Sequence, residues 1–205
     1  MIAAKSTKLT PRGTIASQME QIQRLRSTDP ALFAHRFALG NELVRSCASG
    51  AYRVVNDAVN GAADDDIFFY FAVKMFHTAL INGHIMIANF LLDQGFPLQY
   101  AGTTGVPHPL TEAIAVVEDF RAIAIIEFLD IGKRMDVNAQ PPPNWLTPLH
   151  IAVKRGLLET VKFLLTHGAD PNAVAKDDTM PLSLAEALPA QHPTKDEIVD
   201  ALLRK

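Results

Sequence analysis

The sequence is poor in cysteine, and Cys47 is the single residue of this type among 205. One thiol excludes an intramolecular disulfide and a zinc site built from cysteines. Cys47 falls where a predicted inner helix meets its neighbour, which favours a small packed side chain over a nucleophile. A reducing compartment fits this composition.

Long apolar runs and a strong excess of one charge are also missing. The richest apolar stretch, residues 67–76, contains Lys74 and is about half as long as the roughly 20 residues of a membrane helix. The net charge of −3 argues against a large nucleic-acid interface and leaves room only for a small basic patch. Residues 1–17 lack the apolar core of a secretory signal, and they are interpreted as a basic tail in preference to a transit peptide.

Motifs for catalysis, metal binding and cofactor binding are absent as well. No HExxH, GxSxG, Walker or GxGxxG pattern occurs, and none of the seven histidines has metal-ligand spacing. The acidic run Asp64-Asp65-Asp66 is interpreted as a helix N-cap in preference to a cation site, because three adjacent carboxylates do not converge. No enzymatic activity, no metal and no cofactor are therefore predicted.

What the sequence does contain is an internal repeat. Residues 147–173 read TPLHIAVKRGLLETVKFLLTHGADPNA, and Met180-Pro181-Leu182 follows Thr147-Pro148-Leu149 after 33 residues. Gly50, Gly83 and Gly156 are predicted to form equivalent bends in different units. The repeat divides most of the chain into five units, of which the first and the last are atypical: 41–73, 74–106, 107–146, 147–179 and 180–205.

Each unit has the pattern of two short helices. In the fourth unit Pro148 suits the first turn of a helix, and Gly156 suits its end. A second helix follows, with Leu158, Val161 and Leu164 at helical spacing, and it is predicted to end at Gly168. A pair of this size cannot bury its apolar face alone, so we expect the pairs to stack.

The motif Thr147-Pro148-Leu149-His150, followed by Gly156 and then by Gly168-Ala169-Asp170, closely resembles the ankyrin-repeat consensus. The resemblance implies an all-α fold, an ankyrin-repeat solenoid of stacked helix-turn-helix units with short β-hairpin-like fingers. It also implies that Thr147 and His150 form local hydrogen bonds that hold the turn. The domain prediction is an N-terminal extension or helical cap over residues 1–40 and an ankyrin-repeat domain over residues 41–205.

Some segments depart from the consensus. A lengthened helix is predicted to begin near Asp66 in place of a finger. The third unit is longer than the fourth near residues 117–120, and an extended turn is predicted at residues 133–135. Two helices are predicted before residue 41, over residues 16–26 and from the Asp29-Pro30 start signal to about Leu39. They form either a cap on the first repeat, which is favoured, or a peptide that docks elsewhere or in the protein's own groove.

The resemblance implies a partner protein bound by the concave face and the fingers. The finger around Trp145 is prominent, since this is the single tryptophan and tryptophan is enriched at interaction hot spots. It is predicted either to contact a partner or to fold back on Pro142 or Pro143. The predicted contact residues lie in fingers or at the ends of inner helices: Ile81, Asn82, Val117, Glu118, Asn144, Trp145, Lys154, Arg155, Lys176, Asp177, Asp178 and Glu186.

The functional prediction is a non-catalytic protein-protein interaction module, such as an adaptor, inhibitor or scaffold. A structural subunit of a large permanent assembly is the alternative, and an exported effector or an enzyme is less favoured. The chain is predicted to be monomeric on its own, without a membrane span and without a nucleic-acid partner. The predicted location is cytoplasmic, with the nucleus, an organelle or a host cell left open.

Overall fold

In a computed structural model of the chain, the structure describes residues 15–61, 66–94, 108–129 and 136–204. These residues form helices and turns, and no strand occurs among them. The helices are α1 Ile15–Thr28, α2 Pro30–Ser49, α3 Tyr52–Gly61, α4 Asp66–Ile81, α5 Ile85–Asp93, α6 Pro109–Val116, α7 Asp119–Phe128, α8 Pro148–Lys154, α9 Leu158–Thr166, α10 Pro181–Glu186 and α11 Lys195–Leu203. The all-helical prediction is confirmed for the described residues, whereas the continuous solenoid stays a prediction.

The chain divides into two compact units, Met1–Pro97 and Leu98–Lys205. In the first unit, α2 pairs with α3 and α4 pairs with α5. The pairs are stacked, because α2 packs on α4 and α3 contacts α5. Helix α1 packs against α2 and α4, which fits the cap interpretation of this segment.

Helix α2 is longer than the sequence predicts. It begins as expected, with the Asp29 carboxylate accepting a hydrogen bond from the Leu32 N–H at 2.9 Å, but it continues past Leu39 to Ser49. Gly40 lies inside it, and a Cβ atom at this position would stand 2.2 Å from Cδ2 of Phe71. The glycine therefore permits a close approach of α2 to α4. The predicted helix end was wrong, and the predicted domain boundary after residue 40 falls inside a helix.

The second unit repeats the helix-pair arrangement three times. Helix α6 pairs with α7, α8 with α9, and α10 with α11. The first helices of the pairs stack in the order α6, α8, α10, and the second helices stack in the order α7, α9, α11. Leu149 and Val153 of α8 and Val161 and Leu164 of α9 are all fully buried. This burial supplies the apolar interior that one pair alone lacks.

The glycines of the repeat lie at equivalent bends, as predicted. Gly50, Gly83 and Gly156 separate the two helices of their pairs, and their φ angles are +75°, +78° and +68°. These are left-handed conformations that glycine adopts without a side-chain penalty. Two of the bends are also covered by a histidine ring, since a Cβ on Gly50 would meet His84 and a Cβ on Gly156 would meet His192.

Alanine substitutions at two glycines of the second unit allow the stability cost of a left-handed backbone to be measured separately from the cost of a side-chain clash. Gly168 has a φ of +87° and open space around an added Cβ, so Gly168→Ala is expected to cost only about 1–2 kcal/mol of backbone strain. Gly156→Ala adds a contact of 2.2 Å with Cε1 of His192, and we expect a further loss of about 1–3 kcal/mol. Urea denaturation of both variants measures the difference. Equal losses of unfolding free energy would show that the His192 ring moves aside without lowering stability.

The described residues test some of the other predictions about helices and fingers and leave the rest untested. Helix α4 begins at Asp66, which confirms the predicted long helix, while Asp64 and Asp65 lie outside the described residues. The predicted extended turn at residues 133–135 also lies outside them. The last finger has no strand, and it closes with backbone hydrogen bonds from the Ala175 N–H to the Thr179 carbonyl at 2.9 Å and from the Asp178 N–H to the Ala175 carbonyl at 3.2 Å. The β-hairpin-like form of the fingers stays a prediction.

Candidate functional site

The first turn of α8 is held by Thr147 and His150, as the resemblance implies. The Thr147 N–H donates to Nδ1 of His150 at 3.2 Å, and the His150 N–H donates to the Thr147 hydroxyl at 3.3 Å. The two side chains also contact each other, with 2.7 Å between Oγ1 and Nδ1. This reciprocal pairing satisfies N–H groups that the start of a helix leaves open.

His150 also connects α8 to the next finger. Because its Nδ1 accepts a hydrogen bond from Thr147, its Nε2 carries the proton and donates to the Thr179 carbonyl at 3.1 Å. Burial lowers the pKa of His150, so the neutral ring required by these bonds is favoured. His150 thus fixes the base of the finger that contains Thr179, and its ring nitrogens are both engaged.

The third unit holds its first turn with the same two residue types in exchanged positions. His108 precedes α6, and the Thr111 hydroxyl donates back to the His108 carbonyl at 3.0 Å. The Thr111 N–H lies 3.5 Å from Nδ1 of His108, at the limit of a hydrogen bond. Burial lowers the pKa of His108 to about 4, so the ring is neutral near neutral pH. Both histidines therefore have structural roles.

The finger before α8 is fastened to the finger that follows α9. Gln140 Nε2 donates to the carbonyls of Trp145 at 3.1 Å and Val174 at 2.8 Å. The Lys176 N–H donates to the Asn144 carbonyl at 3.3 Å. Trp145 has a φ of +59° and leaves 48% of its surface exposed. The finger thus presents a half-exposed indole from a loop held by hydrogen bonds.

An open groove of about 460 Å³ lies between these fingers and the first helices of the last two pairs. Leu146 and Leu184 are half-buried and give it an apolar floor. The groove brings together four of the predicted contact residues, Asn144, Lys154, Lys176 and Asp177. It also includes Thr179, which the sequence analysis did not single out. The geometry gives a concave surface that combines apolar, cationic and hydrogen-bonding groups.

Charged side chains of both signs line the groove. The Thr179 hydroxyl, together with backbone N–H groups, lowers the pKa of the Asp177 carboxyl, so this group is ionised at neutral pH. Lys154 and Lys176 are exposed, and within the described part of the chain neither ammonium group has a hydrogen bond or an ion pair. Two unpaired ammonium groups and one carboxylate therefore line the same groove.

Other predicted contact residues lie outside the groove. Arg155 donates from Nη1 to the carbonyls of Ile114, at 2.8 Å, and Val117, so its guanidinium fastens the end of α6. Val117 is only 4% exposed, because its side chain is part of the core, and the expectation of an exposed contact there was wrong. The remaining residues are at least partly exposed: Glu118 and Glu186 at helix ends, Asp178 in the last finger, and Ile81 and Asn82 in the first unit.

A residue that the sequence analysis did not single out, Asp119, links two helix pairs. Its carboxylate accepts hydrogen bonds from the N–H groups of Glu159 at 3.0 Å and Thr160 at 2.8 Å, and from the Thr160 hydroxyl. Leu157, at the N-cap position of α9, makes no side-chain cap bond. Asp119 of α7 therefore caps α9 from the neighbouring pair, where its charge also complements the helix dipole.

Comparison with known proteins bears on the same segment. The ankyrin-repeat family model matches residues 144–176, which include the capped turn of α8, helix α9 and most of the groove-lining positions. The chain is an ankyrin-repeat protein. Ankyrin repeats generally mediate protein-protein interaction, and the family is generally non-catalytic.

Two relatives show local similarity to this ankyrin-repeat protein. One, from Arabidopsis thaliana, is named XBAT35 and described as a candidate E3 ubiquitin-protein ligase; it is 45% identical over 65 residues, covering 29% of this chain and 14% of the relative. The other is the ankyrin-repeat transcription coregulator asaA of Aspergillus flavus, 50% identical over 36 residues, covering 18% of this chain and 11% of the relative. The ankyrin-repeat protein therefore spans only a small part of either relative's length.

Two further observations concern the described residues. None of their helices is both long and apolar enough to cross a membrane. No group of three or more histidine, cysteine, aspartate or glutamate side chains among them could hold a metal ion. Cys47 is fully buried, as expected for a packed side chain, and burial raises the pKa of its thiol to about 12.

Proposed function

We propose that this ankyrin-repeat protein is a non-catalytic interaction module, an adaptor, inhibitor or scaffold, that binds a partner protein through the groove and the adjoining fingers. The supporting observation is that Asn144, Lys154, Lys176 and Asp177 line one concave surface. They come from two successive fingers and from α8, so the stacked arrangement is needed to assemble them. None of the four is buried, and their side chains are free to contact a partner.

The finger that contains Trp145 supports the same proposal. An exposed tryptophan buries a large area on binding, and it loses little side-chain entropy because it has few rotatable bonds. Gln140 fastens this finger to the carbonyls of Trp145 and Val174, which limits the cost of ordering the loop when a partner binds. Trp145 is therefore proposed as an apolar anchor beside the polar groove.

The proposal is tested by placing a photo-crosslinking amino acid at Asn144 in the full chain. A covalent adduct with a discrete protein is expected from this position, and none is expected from the same amino acid at Ala124, an exposed position on α7. With that protein purified, Trp145→Ala is expected to weaken binding by about 10–100-fold, while Leu203→Ala on the distant surface of α11 leaves it unchanged. Equal adducts from both positions, or full affinity of Trp145→Ala, would rule out binding by this surface.

A structural subunit of a permanent assembly is the second candidate. It is favoured by two exposed apolar side chains around the α6–α7 turn, Val116 at 57% and Phe120 at 70% exposure, which an assembly would cover. Phe120→Ser separates the two candidates. A subunit would lose incorporation into its complex, whereas a module that uses the groove would keep its affinity.

A further inference from the structure

The chemistry of the groove indicates which kind of partner segment it selects. The charged side chains that line the groove are two ammonium groups and one carboxylate, those of Lys154, Lys176 and Asp177. Lys154 and Lys176 have no hydrogen-bond or ion-pair partner within the described residues, although both line the groove. The groove therefore carries more positive than negative charge, and it attracts a negatively charged segment.

The apolar floor adds a second requirement. Leu146 and Leu184 are half-buried and face the same groove as the two lysines. Water on these leucines is released when an apolar side chain covers them, which favours binding. The volume of about 460 Å³ lies in the range of about 300–1,000 Å³ typical of ligand pockets, so it fits a short chain segment and not a whole domain face.

Asn144 supplies a third element. Its backbone carbonyl accepts from the Lys176 N–H, and its side-chain amide is exposed at the edge of the groove. A carboxamide offers both a donor and an acceptor, which match the N–H and C=O groups of an extended peptide backbone. A peptide in the groove can thus be held by its backbone at Asn144 and by its side chains at the leucines and lysines.

We propose that the groove recognises an acidic peptide segment, in which an aliphatic side chain covers Leu146 and Leu184 and flanking Asp or Glu side chains pair with Lys154 and Lys176. This inference rests on the proposed function, since it names the chemistry of the partner at the same site. Asp177 orients the segment, because a carboxylate near it is repelled while one near the lysines is attracted. Binding is expected to weaken as salt screens these exposed pairs.

The test is a selection of short random peptides displayed on phage against the full chain. A parallel selection uses the charge-reversed variant Lys154→Glu/Lys176→Glu. The matched control, Arg53→Glu/Arg121→Glu, carries the same change in net charge on α3 and α7, at two positions that do not line the groove and that have no ion pair within the described residues. Because all four positions are exposed, the variants are expected to keep the fold, and circular dichroism of each verifies it.

The wild type and the control are expected to recover peptides with Asp or Glu flanking an aliphatic residue, and the charge-reversed variant peptides rich in Lys or Arg. For one acidic peptide from the wild-type selection, Lys154→Gln and Lys176→Gln are each expected to weaken binding by about two- to fivefold, as the loss of a solvent-exposed ion pair does. Replacing the aliphatic residue of that peptide with Ser is expected to weaken it further.

The contrary outcomes separate this inference from the proposed function. Groove-binding peptides without acidic enrichment, identified by their loss of affinity for the uncharged variant Leu146→Asn, overturn the acidic specificity and leave the groove as a binding site. Acidic peptides that bind Leu146→Asn and the wild type equally are attached elsewhere, which overturns the inference. Recovery of no peptide overturns recognition of a short segment, whereas the crosslinking result at Asn144 decides the proposed function independently.

Discussion

Replacing Leu164 with alanine is expected to lower the free energy of unfolding by about 2–5 kcal/mol. Leu164 has no exposed surface and lies in α9, the helix that contacts α7, α8 and α11. Removal of its side chain leaves a cavity, and the surrounding helices cannot collapse into it without giving up their own contacts. Urea denaturation followed by far-ultraviolet circular dichroism measures the loss, and the fluorescence of Trp145 reports on the same unit.

Leu203 provides the matched control for this prediction. It is also a leucine in a second helix of the unit, but 65% of its surface is exposed. Leu203→Ala is therefore expected to change stability by no more than about 0.5 kcal/mol. A loss below about 1 kcal/mol for Leu164→Ala would mean that α9 does not supply the shared apolar interior of the helix pairs.

Removing the carboxylate of Asp119 is expected to cost about 2–3 kcal/mol. In Asp119→Ala the N–H groups of Glu159 and Thr160 lose their acceptor, and the start of α9 loses the negative charge beside it. Asp119→Asn retains one oxygen acceptor without the charge, so a loss of about 1 kcal/mol is expected. Thermal and urea denaturation of the two variants measure the difference.

Glu118 is the control for Asp119 because it is an adjacent, exposed acid. Glu118→Ala removes a charge of the same sign, and it is expected to leave stability within about 0.5 kcal/mol of the wild type. If Asp119→Ala were equally mild, water would have to satisfy the α9 N–H groups as well as the carboxylate does. If Asp119→Asn were as severe as Asp119→Ala, the effect would come mainly from the charge.

The features of the fold that the sequence predicted are those carried by local chemistry. The bends at Gly50, Gly83 and Gly156 follow from a backbone conformation that other residues adopt only at a cost. The start of α8 follows from Thr147, Pro148 and His150, which lie within one helical turn of each other. Such patterns can be recognised without knowing how the neighbouring helix pair packs. Their recurrence along the chain indicates the repeat.

The features that the sequence did not predict depend on contacts between distant residues. Gly40 lies inside α2 and has no side chain, because Phe71 of α4 occupies the space that a Cβ atom would need. Asp119 and Arg155 were not recognised as linking residues because their hydrogen-bond partners are distant in sequence, on a neighbouring helix pair. A charged side chain at a helix end is usually solvated, and only the packed geometry shows which ones reach across.

The same distinction applies to the candidate site. The sequence indicated which positions belong to fingers and helix ends, and four of these positions meet in the groove. It did not separate side chains that face the groove from those that fasten the stack, which is why Val117 and Arg155 were grouped with Lys154. Leu146 and Leu184 were missed because the half-buried leucines of a groove floor have the same pattern as core residues.

The groove depends on the pair α10–α11, because Leu184 belongs to α10. Among the described residues of its unit, this pair contacts one other helix pair, whereas α8–α9 contacts two. A pair with fewer contacts opens more readily than one with more. Opening of this pair would remove one wall of the groove, so an occupant that touches both Leu146 and Leu184 would hold the last pair closed. Ligand affinity and the local stability of the carboxyl-terminal helices would then change together.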